Sequence, residues 1–171
     1  MRHAVMLLFI VGVFVGCKKE DSPVTPASVQ STTTEATLYM LGKSSAGFTF
    51  YKNSPDTLSK GGNSGHPDAF LRTRYNSTSA KYLDANGKVK AGTVFPDSSL
   101  IVKELFTNNL LTTYVFLFKK KGDTNADANG WVWAETSPSG TATYPASNKG
   151  AGCTGCHGTG IDYTRMNDAH P

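Results

Sequence analysis

Between Ala36 and Gly150 no long stretch of the chain keeps a helical hydrophobic period. Short runs rich in Val, Phe, Tyr, Thr and Trp recur instead, each closed off by Gly, Asn, Asp or Pro: Thr49 to Tyr51, Phe70 to Tyr75, Leu100 to Phe106, Thr113 to Phe118 and Trp131 to Glu135. β-Branched and aromatic side chains suit a pleated, half-buried surface, and the turn residues stop each run at strand length. Asn108-Asn109 lies between two apolar runs, as a tight hairpin requires, and residues 119 to 130 make a longer polar connection. Ala36 to Leu41 and Ser77 to Leu83, the latter behind Asn76, are candidates for short helices. The pattern predicts an α+β domain, a mostly antiparallel β-sheet with a few short helices packed on it.

A chain of 171 residues with 39% hydrophobic and 18% charged side chains supports one packed domain and excludes a generic disordered polymer. The formal charge of +4 is carried by dispersed Lys and Arg apart from Lys18-Lys19 and Lys119-Lys120-Lys121, so no nucleic-acid partner is expected.

Met1-Arg2-His3 precedes the apolar run from Ala4 to Gly16, the anatomy of an export signal. A helix needs roughly 20 apolar residues to cross the hydrocarbon core, so this run is too short to be a permanent span. Val15-Gly16-Cys17 resembles the lipobox of bacterial lipoproteins, with Phe14 where Leu is more usual. That resemblance implies cleavage before Cys17, acylation of Cys17 and membrane attachment through lipid; the alternative is a soluble exported protein cut nearby. Each buried CH₂ of an acyl chain contributes about 0.8 kcal/mol, so several chains hold durably. Residues 1–16 are thus expected to be a lipoprotein signal peptide and 17–35 a flexible Ser/Thr/Pro tether that buries too little to offset its ordering entropy. Residues 36–171 are the domain.

The other two cysteines stand in Cys153-Thr154-Gly155-Cys156-His157, the C-x-x-C-H pattern of c-type haem attachment. Two thiols three residues apart on a helical turn can each add to a vinyl group of one porphyrin, and the adjoining His157 then becomes the axial ligand of the iron. A redox dithiol, a disulfide and half a zinc site are the alternatives. Zinc would need further Cys or well-placed His, and a thioredoxin-like motif belongs near the start of a parallel α/β fold. With haem c, all three cysteines have a use and no disulfide is expected. Only fourteen residues follow His157, whereas small electron-transfer cytochromes c carry the motif near the N-terminus and a Met ligand well beyond it. The cytochromes c′ place it late but are helical. A loop with Asp123, Asn125, Asp127 and Asn129 spaces oxygen ligands two apart, but with Gly130 at the sixth position the twelfth is Thr136 and not the Glu that calcium requires, so a solvated connection is expected.

A strand-rich domain ending in C-x-x-C-H resembles the cytochrome P-460 family and its relatives, the cytochromes c′-beta. Four blocks in order carry the resemblance over roughly residues 36 to 166: Phe70 to Asn76 (FLRTRYN), Phe95 to Glu104 (FPDSSLIVKE), Gly130 to Trp133 (GWVW), and the haem motif followed by Asp162-Tyr163. Gly61 to Asp68 has no counterpart. The family implies a mostly antiparallel sheet with helices, including a C-terminal haem-attachment helix, a homodimer, and one covalent haem c with an open iron face for small nitrogen-containing ligands. It places on Lys103 a lysine that in cytochrome P-460 proper bonds covalently to the porphyrin, and on Arg72 an arginine of the open face, with Arg74 as fallback. The strand pattern separately sets Lys103 on a face with Ile101 and Leu105, an unusual place for a solvated amine.

Oxidising members use a glutamate that aligns near Val115 to Leu117, where this chain has no carboxylate; Glu104, Glu135 and Asp97 are the substitutes, and Phe116 or Phe118 are steric caps if not plain core. Met40, His66, Met166 and His170 are the candidate sixth ligands, with Met166 too close in sequence to His157 to reach the other haem face. The expectation is a lipid-anchored mono-haem cytochrome in the bacterial cell envelope, on the periplasmic side or at the outer membrane. It would bind or oxidise hydroxylamine or nitric oxide through Arg72 and Lys103, with a redox partner not identified by the sequence. A non-enzymatic gas-binding module and a simple electron carrier are the alternatives, and turnover is left open.

Overall fold

A computed structural model describes residues 31–61 and 64–165. The expected signal peptide, Cys17, most of the expected tether, Met166 and His170 lie outside the described residues. The chain forms α1 (Glu35–Gly42), β1 (Thr49–Phe50), β2 (Leu58–Ser59), β3 (Phe70–Tyr75), α2 (Ser77–Ala80), β4 (Leu100–Thr107), β5 (Leu110–Lys119), β6 (Trp131–Thr136), β7 (Ala142–Tyr144) and α3 (Thr154–His157). The strands make one sheet in the order β1-β3-β4-β5-β6-β7, with β2 also on β3, and every pairing is antiparallel. This is the α+β architecture that the strand-length runs predict. No helix among the described residues is long and apolar enough to cross a membrane.

Local chemistry sets the element ends. Asn108 and Asn109 both take positive φ (51° and 62°), the backbone of a two-residue turn that matches strand twist, and asparagine tolerates it better than most residues. The Asn76 side chain accepts from the Ser79 N–H and caps α2, and Thr34 does the same for α1 through Thr37. The packed chain begins before Ala36. Thr33 donates its N–H and hydroxyl to the Asp123 carboxylate (2.6 to 3.1 Å), and the Ser31 carbonyl accepts from the Thr124 N–H. The tether's last residues are thus fastened to the β5–β6 connection.

The sheet is buried on both sides. α1 covers one face, where Leu38 meets Val102, Phe116, Val132 and Ala134; a Cβ on Gly42 would come within 2.9 Å of Phe116 and Val102, so helix and sheet are in backbone-close contact there. The other face carries Leu71, Tyr75, Ile101, Leu105, Val115, Leu117, Trp131 and Trp133, covered by Leu83, Phe95 and the C-terminal segment. Strand alternation assigns each residue to one face.

Candidate functional site

The C-terminal segment builds the site on the second of these faces. α3 is a single turn, so Cys153 and Cys156, three apart, lie on one side of it with His157 next. Both thiols are free, Cys153 half-buried and Cys156 exposed, and burial pushes the Cys153 thiol up. The His157 ring is fixed twice. It packs near-perpendicular to Trp133, at 5.0 Å between centroids and 83° between planes, and Trp133 is itself held by Nε1 donating to Asp127 (2.8 Å). Nδ1 donates to the Tyr163 carbonyl at 2.9 Å; a carbonyl only accepts, so the proton sits on Nδ1 and the Nε2 lone pair is left for a metal. Asp162 and Tyr163 adopt positive φ (45° and 64°) in the turn that presents this carbonyl. Burial, with Lys103 nearby, lowers the His157 pKa to about 4, so the imidazole is neutral at pH 7.

The two cysteines and His157 line a cavity with an empty volume of about 630 Å³, including its open mouth. The other walls are Ser64, Gly65 and His66 from the β2–β3 connection, Lys103 from β4, Glu135 from β6, and Arg165. Lys103 is 5% exposed, and among the described residues its amine makes no hydrogen bond or ion pair. Burial, with Arg165 acting in the same direction, lowers its pKa to about 8. Burial and Asp68 raise that of Glu135. Burial and Lys103 bring His66 down to about 4. Among the described residues, no three His, Cys, Asp or Glu side chains converge as ligands for a bare metal ion.

Arg72 is not in this cavity, and the expectation for it is corrected. In the β3–β4 register Thr73 faces Lys103, while Arg72 faces Glu104. Arg72 and Arg74 therefore stand on the α1 side of the sheet, across it from α3. Arg72 Nε donates to Glu104 at 2.6 Å, and Arg74 is wholly buried between Glu104 and the Ser44 and Gly42 carbonyls. Phe116 and Phe118 pack on that same side as core and cap nothing near α3. Met40, 64% exposed on α1, is remote as well. Of the substitute carboxylates only Glu135 reaches the cavity; Glu104 is taken by the arginines, and Asp97 accepts from the Lys121 N–H. Arg165, which sequence reasoning missed, is the guanidinium that the cavity does contain. The acidic connection is turn structure: Asp123 holds Thr33, and Asp127 accepts from the Asn129 and Trp131 N–H groups. Compared with known proteins, the chain matches no family model and no curated protein.

Proposed function

We propose that the chain is an exported, lipid-anchored c-type cytochrome of the P-460 kind, holding one haem through Cys153 and Cys156 with His157 on the iron, and taking small nitrogen species such as nitric oxide or hydroxylamine. One observation carries the reading: two thiols on one helical turn, an imidazole with its Nε2 lone pair left for a metal, and a buried amine with no partner among the described residues all open onto the same cavity. That donor set fits a covalently held porphyrin. Cys153 and Cys156 would hold it through thioether bonds and His157 would ligate its iron, with the Lys103 amine lining the same cavity. When bound, the haem supplies ligand binding and electron transfer at iron. Anchoring in the bacterial envelope through Cys17 and homodimer assembly belong to the same reading and rest on the sequence.

The residues around the cavity divide the remaining work. Glu135, whose carboxyl burial biases toward holding its proton and which lines the cavity, would exchange a proton with a hydroxylamine nitrogen or oxygen. Lys103 is partly neutral near pH 8, which makes it a nucleophile or a hydrogen-bond donor without a full buried charge. Arg165 brings the positive charge that stabilises a ligand gaining electron density, the part that Arg72 cannot play from the other side of the sheet.

The test is an optical spectrum of purified protein, oxidised and reduced, with and without nitric oxide, together with a pyridine haemochrome assay for covalent haem. One thioether-linked haem per chain and a spectrum that responds to nitric oxide are expected. A protein without haem, or a haem spectrum indifferent to added ligand, overturns the reading. A ferrous Soret band shifted far to the red, abolished in Lys103→Ala, would mark a lysine cross-link. Glu135→Gln separates turnover from binding, because it should lower hydroxylamine oxidation at least about a hundredfold while leaving nitric oxide binding in place.

A further inference from the structure

We infer that His66 is the second axial ligand of the resting haem and that a small ligand must displace it to reach the iron; the inference rests on the haem reading above. His66 and His157 are the only histidines among the described residues. They come from unrelated segments, the β2–β3 connection and α3, yet both line one cavity. Nothing in the fold gives His66 another use. Its backbone is tied down, the carbonyl accepting from Lys60 Nζ at 2.8 Å and the N–H donating to Ser64 at 3.3 Å, while its ring makes no hydrogen bond among the described residues. Asp68, two residues on, is fastened elsewhere through Oδ1, which accepts from Thr107 and Thr112.

The imidazole is half-buried, lines the cavity and makes no hydrogen bond among the described residues, so a ring nitrogen is available to a metal. The connection is anchored at its base by Lys60 N–H donating to the Ala69 carbonyl, and His66 sits between Gly65 and Pro67. Gly65 leaves the approach open, because a Cβ built there meets nothing within 4 Å. The ring is thus presented to the cavity from a connection outside the sheet. Lys103 is the competing donor, but it is held on the central strand β4.

The holoprotein tests this directly. Ferric wild type should be low-spin and six-coordinate, and His66→Gly should be high-spin with unchanged covalent haem content. Millimolar imidazole should return the variant to low spin. If the five-coordinate form is about a tenth of the resting population, His66→Gly tightens apparent cyanide or nitric oxide affinity about tenfold. A high-spin wild type, or a low-spin spectrum that His66→Gly leaves unchanged and Lys103→Met abolishes, overturns the inference. Should the Gly variant lose haem, His66→Met keeps a ligand in place and should shift the low-spin spectrum; no shift overturns the inference. Wild type without covalent haem overturns the functional reading itself, whereas covalent haem whose spectrum ignores His66 overturns only this inference.

Discussion

Lys103 and Glu135 stand in one row across the sheet, Lys103 pairing with Val115 and Val115 with Glu135. Two strand spacings separate them, about 10 Å, so they face the cavity together without forming an ion pair with each other. The same row begins at Thr73 on β3 and runs on to Tyr144 on β7, against which Cys153 packs. A base and an amine are thereby aligned by sheet register, and the C-terminal turn brings the Cys153 thiol to the end of their row.

The buried amine predicts a pH-dependent stability. Lys103 has a pKa near 8 in the folded chain against 10.5 for an ordinary lysine, so between those values the unfolded chain holds more proton. Wild-type stability should therefore rise with pH across that window, with the full penalty present below pH 8. Lys103→Met in haem-free protein should raise stability at pH 7 by on the order of 3 kcal/mol, and the difference should vanish above pH 10.5. Urea midpoints at pH 7, 9 and 11 check it; a gain independent of pH would mean that packing, and not charge, is responsible.

The two arginines of β3 predict stability effects without effects on the site. Arg72, with its side chain 27% exposed, should lose at most about 1 kcal/mol on replacement by Ala. Glu104→Gln removes the counter-charge of the fully buried Arg74 and should destabilise by about 3 kcal/mol. Neither should alter the nitric oxide response of the holoprotein. A changed ligand spectrum in Arg72→Ala would restore the role that the register denies it.

The contrast between Arg72 and Glu135 shows where sequence reading ends. The runs Phe70 to Tyr75 and Trp131 to Glu135, the Asn108-Asn109 turn and the Asn76 cap were legible because propensity and turn chemistry are local. Alternation within β3 puts Arg72 and Arg74 on one face, and alternation within β4 puts Lys103 with Ile101 and Leu105. Which face of β3 matches which face of β4 depends on pairing Thr73 with Lys103, a contact thirty residues apart. No local signal specifies that register. That Glu135, and not Glu104 or Asp97, reaches the cavity was illegible for the same reason, since its place opposite Val115 follows from two successive hairpins. The fastening of Thr33 to Asp123 is likewise long-range, so composition alone assigned it to a tether.

The C-terminal turn is tied to the sheet by a buried ion pair. Lys119 Nζ lies 2.9 Å from Asp162 and 4.6 Å from the Trp131 ring centre, and Asp162 also accepts from the Phe95 N–H. Asp162→Asn keeps a residue that tolerates the positive φ but leaves the ammonium unpaired, and should destabilise by about 3 kcal/mol or more. Adding Lys119→Met should recover most of the loss, because an apolar stem fits against Trp131. Thermal unfolding of both variants decides it; additive losses would show that the pair is not coupled.

Gly150 controls the wall behind His157. It takes φ +73°, and an added Cβ would lie 2.7 Å from Trp133 Cδ1 and Nε1. Trp133 cannot easily yield, being wholly enclosed, bonded to Asp127 and set near-perpendicular to His157. Gly150→Ala therefore adds a left-handed backbone penalty of roughly 1 kcal/mol to the displacement of a packed indole, and a loss of about 2 to 3 kcal/mol is expected. The displaced ring should also loosen the imidazole, which would show as lower covalent haem content and a broadened His157 ring resonance. If Gly150→Ala is destabilised yet loads haem like wild type with an unaltered spectrum, Trp133 is packing alone and the His157 orientation rests on the Tyr163 carbonyl.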